Sequence, residues 1–83
     1  MNILLITYDI HDDEDRADCL ETIKGMKYFE VGESDYLVKT SKDSEDVRDL
    51  LTKYISKGDR LFVCIKGLGA WKGLEGLKKW LEE

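Results

Sequence analysis

The sequence predicts an α+β fold with the element order β-α-β-β-α-β, and three observations carry that prediction. Ile3-Leu4-Leu5-Ile6 and Leu61-Phe62-Val63-Cys64-Ile65 are two unbroken apolar runs of strand length. Two helical patterns separate them, and between the helices lie two β-rich segments joined near Gly32-Glu33. The chain is 83 residues long, enough for one small core and no second one.

Taken in order, Asn2 to Asp9 is an apolar run with β-branched residues, which suits a strand covered on both faces. Asp12 or Asp13 then offers an N-cap, and the carboxylates behind it favour the positive end of the helix dipole. Ala17, Leu20 and Ile23 are spaced for one helical face, and Gly25 is a natural C′ stop. Met26 to Val31 is the second strand, with Tyr28 and Phe29 supplying β propensity. Gly32-Glu33 is a two-residue hairpin connection with Gly first, and Ser34 to Thr40 the return strand. Val47, Leu50, Leu51, Tyr54 and Ile55 fall at helical spacing, and Gly58 stops that helix before the last apolar run. This order is the split βαβ arrangement of a ferredoxin-like sandwich, an antiparallel four-stranded sheet with two helices on one face. The two apolar runs are expected at the centre of the sheet.

Residues 1–66 make that domain, and residues 67–83 are a tail. Gly67, Gly69, Gly73 and Gly76 punctuate the tail, while Leu74, Leu77 and Leu81 predict a short final helix. Two helices on one face leave the other face bare. Trp71 and Trp80 suit covering it, either in the same chain or in a partner.

The net charge of −5 argues against non-specific affinity for a nucleic acid duplex, which needs local cation density. Cys19 and Cys64 make no disulfide framework and are expected as buried reduced thiols. The first apolar run lacks a basic flank and a small-residue cleavage site, so no signal peptide, membrane span or membrane partner is expected. These readings place the protein in the cytoplasm.

Asp9 ends the first strand, and two readings of it stay open. It caps the turn that follows, or it is a hard oxygen ligand for Mg²⁺ or Mn²⁺ at the sheet edge. One carboxylate is a poor site; two related by a dimer axis would serve better. His11-Asp12-Asp13-Glu14-Asp15 lacks the ligand spacing of a calcium loop and is expected as a solvated helix start. His11 is the sole histidine, which excludes a His-pair metal site within one chain and leaves a general base. Gly67-Leu68-Gly69-Ala70-Trp71-Lys72-Gly73 departs from the dinucleotide fingerprint and is better taken as a hinge. Lys39, Lys42 and Arg48, among acidic neighbours, are expected on a mixed solvated surface.

Three features together resemble the CRISPR-associated protein-two superfamily, which includes VapD-type toxins and SinR-like small proteins. They are the strand ending Tyr8-Asp9-Ile10, an acidic turn with Arg16 in the next helix, and a last strand introduced by Gly58-Asp59-Arg60-Leu61-Phe62-Val63. Ser34 to Thr40 and Ala70-Trp71-Lys72-Gly73 look more like the SinR-like branch. The resemblance implies a ferredoxin-like homodimer whose C-terminal segment reaches the partner. It also implies an Asp at the position of Asp9, paired across the dimer and associated with divalent metal and phosphodiester cleavage. A metal held there would bind phosphate and generate hydroxide. In the CRISPR adaptation complex, by contrast, the protein is a DNA-binding scaffold. The expectation is therefore a metal-dependent nuclease, on RNA more than DNA, with Asp9 as ligand, Asp9 and His11 catalytic, and Tyr8 and Arg16 at the substrate. The alternative is a non-catalytic dimer that binds a protein or nucleic-acid partner.

Overall fold

The computed structural model describes residues 1–67 and 69–83; Leu68, within the segment read as a hinge, lies outside the described residues. Strands β1 (Asn2–Asp9), β2 (Lys27–Gly32), β3 (Asp35–Thr40) and β4 (Arg60–Ile65) alternate with helices in the expected order. Helix α1 is Asp13–Lys24 and helix α2 is Ser44–Leu51, and the tail adds α3, Leu77–Glu82. The strands form one antiparallel sheet in the order β2-β3-β1-β4. With α1 and α2 packed on one face, this is the ferredoxin-like sandwich.

Alternation along β1 sends Leu4, Ile6 and Tyr8 to the helix side, where they meet Cys19 and Ile23 of α1 and Val47 and Leu51 of α2. Each fully buried aliphatic side chain in that layer contributes about 1.5–3 kcal/mol. On the other face Leu37, Leu77 and Trp80 are buried together, with Ile3, Leu5, Phe29 and Val31 packed against them. The tail therefore covers this chain's own sheet. Gly76, with φ of 84°, turns the chain into α3 in a conformation that side-chain-bearing residues rarely adopt.

Four expectations are corrected in detail. The centre of the sheet is β1 and β3, not β1 and β4. β4 is an edge strand whose Phe62 stays 59 % exposed, although its composition suits a covered strand. The inward face of α1 is built on Cys19, Leu20 and Ile23, and Ala17 is exposed. Ala17 and Cys19 are about 200° apart around the helix axis, so both cannot face the sheet. Gly25 caps α1 in a right-handed conformation, its N–H shared between the Glu21 and Thr22 carbonyls, so no left-handed stop is needed. The hairpin loop is Glu33-Ser34, because Gly32 still pairs with Asp35, and a register shift between Glu30 and Gly32 absorbs the extra residue.

The second helical pattern is split. A capping box between Asp43 and Asp46 starts α2, which ends at Leu51 and passes into a short 3₁₀ turn, Thr52–Tyr54. Gly58, with φ of 90°, makes the turn into β4. Cys19 is buried as expected, but Cys64 is only half-buried on the tail side of β4. No helix among the described residues is long and apolar enough to cross a membrane.

Candidate functional site

The β1–β4 register sets Asp9 opposite Arg60, so the chain leaving β1 and the chain entering β4 run side by side. His11 comes from the first of these segments and Asp59 from the second. Asp59 Oδ1 accepts the His11 backbone N–H at 3.1 Å and lies 3.1 Å from His11 Nδ1. Its other oxygen accepts the Ser56 N–H at 2.8 Å. The Asp59 side chain is 3 % exposed, whereas the His11 side chain keeps 66 % of its surface in solvent. On the far side of the imidazole, His11 Nε2 stands 3.7 Å from Asp9 Oδ1, too far for a hydrogen bond.

Asp9 itself is 62 % exposed, and among the described residues its carboxylate accepts no hydrogen bond from the backbone. It is free to meet a cation or a donor from outside. Among the described residues no three His, Cys, Asp or Glu side chains converge on a point that a metal ion would occupy. One copy thus offers a carboxylate and an imidazole. A hard divalent cation would need further oxygens from a second copy or from substrate phosphate to complete its shell.

Tyr8 and Arg16 lie elsewhere. Tyr8 points to the helix side, buried, its ring stacked on Tyr36 with centroids 6.4 Å apart. Burial, with smaller contributions from Tyr36 and Cys19, pushes its hydroxyl up to about 12, so it is a neutral donor at physiological pH. Arg16 donates to the Ile10 carbonyl at 3.0 Å and to the Asp13 carboxylate, fastening the β1–α1 connection to the helix. Tyr8 and Arg16 share a cavity of about 290 Å³ with Glu33 and Ser34. The sequence-predicted residues therefore divide: Asp9 and His11 come together, and Tyr8 and Arg16 form a second group across the sheet. The acidic run is a helix start, with Asp12 accepting the Asp15 N–H at 2.9 Å as N-cap.

Asp59 is the residue that the motif reading left without a role. Gly-Asp before a strand signals a turn, and nothing local points to a histidine 48 positions away.

The Asp59 carboxyl is held below the usual carboxylate range, first by the Ser56 N–H, then by the His11 N–H and imidazole. Its folded value thus lies under the ordinary 3.8. The stabilisation is complete above that ordinary value and fades as pH falls through the lower folded one. The stability gap between wild type and Asp59→Asn is expected to close as pH falls below the ordinary carboxylate value toward the lower folded one. Denaturant midpoints measured across that range check it; a gap that widens on acidification would contradict the assignment.

No family model matches this chain, and no curated protein matches it.

Proposed function

We propose that the chain works as a homodimer in which Asp9 of each copy holds a divalent cation, Mg²⁺ or Mn²⁺, and cleaves phosphodiester bonds, RNA more than DNA. The observation that carries this reading is the exposed Asp9 carboxylate at the end of an interior strand, uncommitted to the backbone and flanked by His11 Nε2 at 3.7 Å. When bound, such a cation supplies positive charge that binds phosphate oxygens and acidifies water. His11 then receives the proton of the attacking hydroxyl at Nε2. Arg16 serves by holding the Ile10 carbonyl and Asp13, and so the loop that carries His11. Tyr8 closes the helix-side core behind Asp9. This reading places the protein in the cytoplasm, among proteins like the SinR-like branch of the CRISPR-associated protein-two superfamily.

A second reading has its own support. The net charge of −5 and the incomplete donor set of one copy favour a non-catalytic dimer that binds a protein or nucleic-acid partner. Purified wild type and Asp9→Ala, given labelled RNA and DNA with Mg²⁺, Mn²⁺ or chelator, separate the two. Cleavage by wild type alone, abolished by chelator, is expected. Cleavage that survives both the substitution and the chelator removes the enzyme reading, as does none at all. A light-scattering mass of one chain removes the shared site.

A further inference from the structure

We propose that the cavity of about 290 Å³ beside Tyr8 binds an uncharged nucleobase, as a free nucleoside presents it. The site is separate from Asp9, because alternation along β1 turns Tyr8 to the helix side and Asp9 to the other face. The proposal therefore goes beyond the nuclease reading and stands without it.

The cavity lies between the first two turns of α1 and the Glu33-Ser34 hairpin loop, with Tyr8 as its buried wall. Tyr8 is 5 % exposed, and its hydroxyl makes no hydrogen bond among the described residues, unlike those of Tyr36 and Tyr54. The one polar side-chain atom fully enclosed without a partner among those residues is Trp80 Nε1, so the Tyr8 hydroxyl opens onto the cavity that this residue lines. A buried tyrosine hydroxyl ordinarily has a partner, and stacking on Tyr36 needs only the ring. The hydroxyl is thus available to a partner from outside. Arg16 adds N–H groups beyond those given to the Ile10 carbonyl and to Asp13. Ser34, whose carbonyl accepts the Tyr8 N–H at 3.2 Å, brings a second hydroxyl. Glu33 brings a carboxylate with no ion pair among the described residues.

Charge decides the ligand class. The Arg16 guanidinium is already neutralised by Asp13, and Glu33 leaves the lining with an excess of negative charge. A phosphate or carboxylate would meet that excess with no uncompensated cation to receive it. A simple cation would face a guanidinium and two hydroxyls. What fits is an uncharged group with acceptors for Arg16 and Tyr8, a donor for Glu33, and an apolar face for Ala17 and Leu20. The edge and the face of a nucleobase supply all of these. Size agrees: the cavity is at the lower end of small-ligand pockets, room for one base and not for a length of strand.

Amide ¹H–¹⁵N spectra of the full chain, titrated in chelator with adenosine, guanosine, cytidine or uridine, test this without any cleavage. At least one nucleoside is expected to give saturable shifts at Arg16, Ala17 and Ser34 with a Kd below about 1 mM. Inorganic phosphate and glycine are expected to leave those signals in place. Tyr8→Phe keeps the ring and its stack, and should bind that nucleoside about 3- to 10-fold more weakly for the loss of one hydrogen bond. Ala17→Phe, at an exposed position of α1, should fill the cavity and abolish binding while signals from the rest of the chain stay put. If Tyr8→Phe does not fold, Ala17→Phe decides alone. Saturation by no nucleoside, equal shifts from phosphate or glycine, or wild-type affinity in either folded variant overturns the proposal.

Discussion

Trp80→Ala is expected to cost about 3–5 kcal/mol of folding stability, the range for truncating a large buried aromatic side chain. Helix α3 has six residues, too few to be helical alone, so docking and not propensity holds it. Trp80 is the anchor: its ring meets Phe29 at 5.9 Å between centroids, and it is buried with Leu37 and Leu77. Its Nε1 has no hydrogen-bond partner among the described residues, so the indole contributes through area and shape. Trp80→Phe should consequently cost far less, about 1 kcal/mol. A small domain with a total of about 5–10 kcal/mol would survive the second substitution comfortably and the first barely. Thiol labelling gives an independent readout. Cys64 lies with Leu5, Val31 and Leu37 along a cavity of about 320 Å³ roofed by Trp71, Leu74 and Leu77. Undocking the tail should speed its reaction several-fold. Cys19 should stay silent in both proteins, since burial hides it and pushes its thiol up to about 11. Urea unfolding that leaves Trp80→Ala unchanged would show that the tail does not rest on its own sheet in solution.

What the sequence disclosed depended on whether the deciding interaction is local. Helix starts were legible because Asp12 and Asp43 act within three residues of themselves. The choice of interior strand was not. Tyr36-Leu37-Val38-Lys39 is buried along its whole length, but a lysine at its end disguises it as a half-solvated strand. The apolar run of β4 points the opposite way, since composition cannot say that one edge and Phe62 remain uncovered. The same limit governs the site. Asp9 was legible as an exposed strand-end carboxylate because a strand end is a local feature, whereas the approach of Asp59 to His11 was not, because only the β1–β4 pairing brings them together.

Lys39 is also the source of the second large effect: Lys39→Met is expected to lose about 2 kcal/mol, as two carbonyls would be stripped of their donor. The side chain is 9 % exposed, and its ammonium sits 4.6 Å from the centre of the Trp80 ring. Nζ donates to the main-chain oxygens of Trp80 and Glu83, at the end of α3, where the helix dipole is negative and the last carbonyls lack intrahelical partners. Two effects oppose each other in the substitution. Methionine relieves the cost of burying an ammonium, which favours the variant. It also leaves the Trp80 carbonyl buried and unpaired, at about 1–3 kcal/mol for that group alone, and removes charge-assisted bonds worth about 1.5–3 kcal/mol each. The losses win because methionine keeps the length of the stem and cannot restore a donor. Lys27, whose ammonium is 3.7 Å from the Glu83 carboxylate, provides the control. Both partners of that pair are about half exposed, so Lys27→Met should change stability by less than about 1 kcal/mol, and less still in salt. Urea midpoints for the two variants decide the matter. A Lys39→Met protein as stable as wild type would mean that the ammonium is tolerated in this sheet and not required by it.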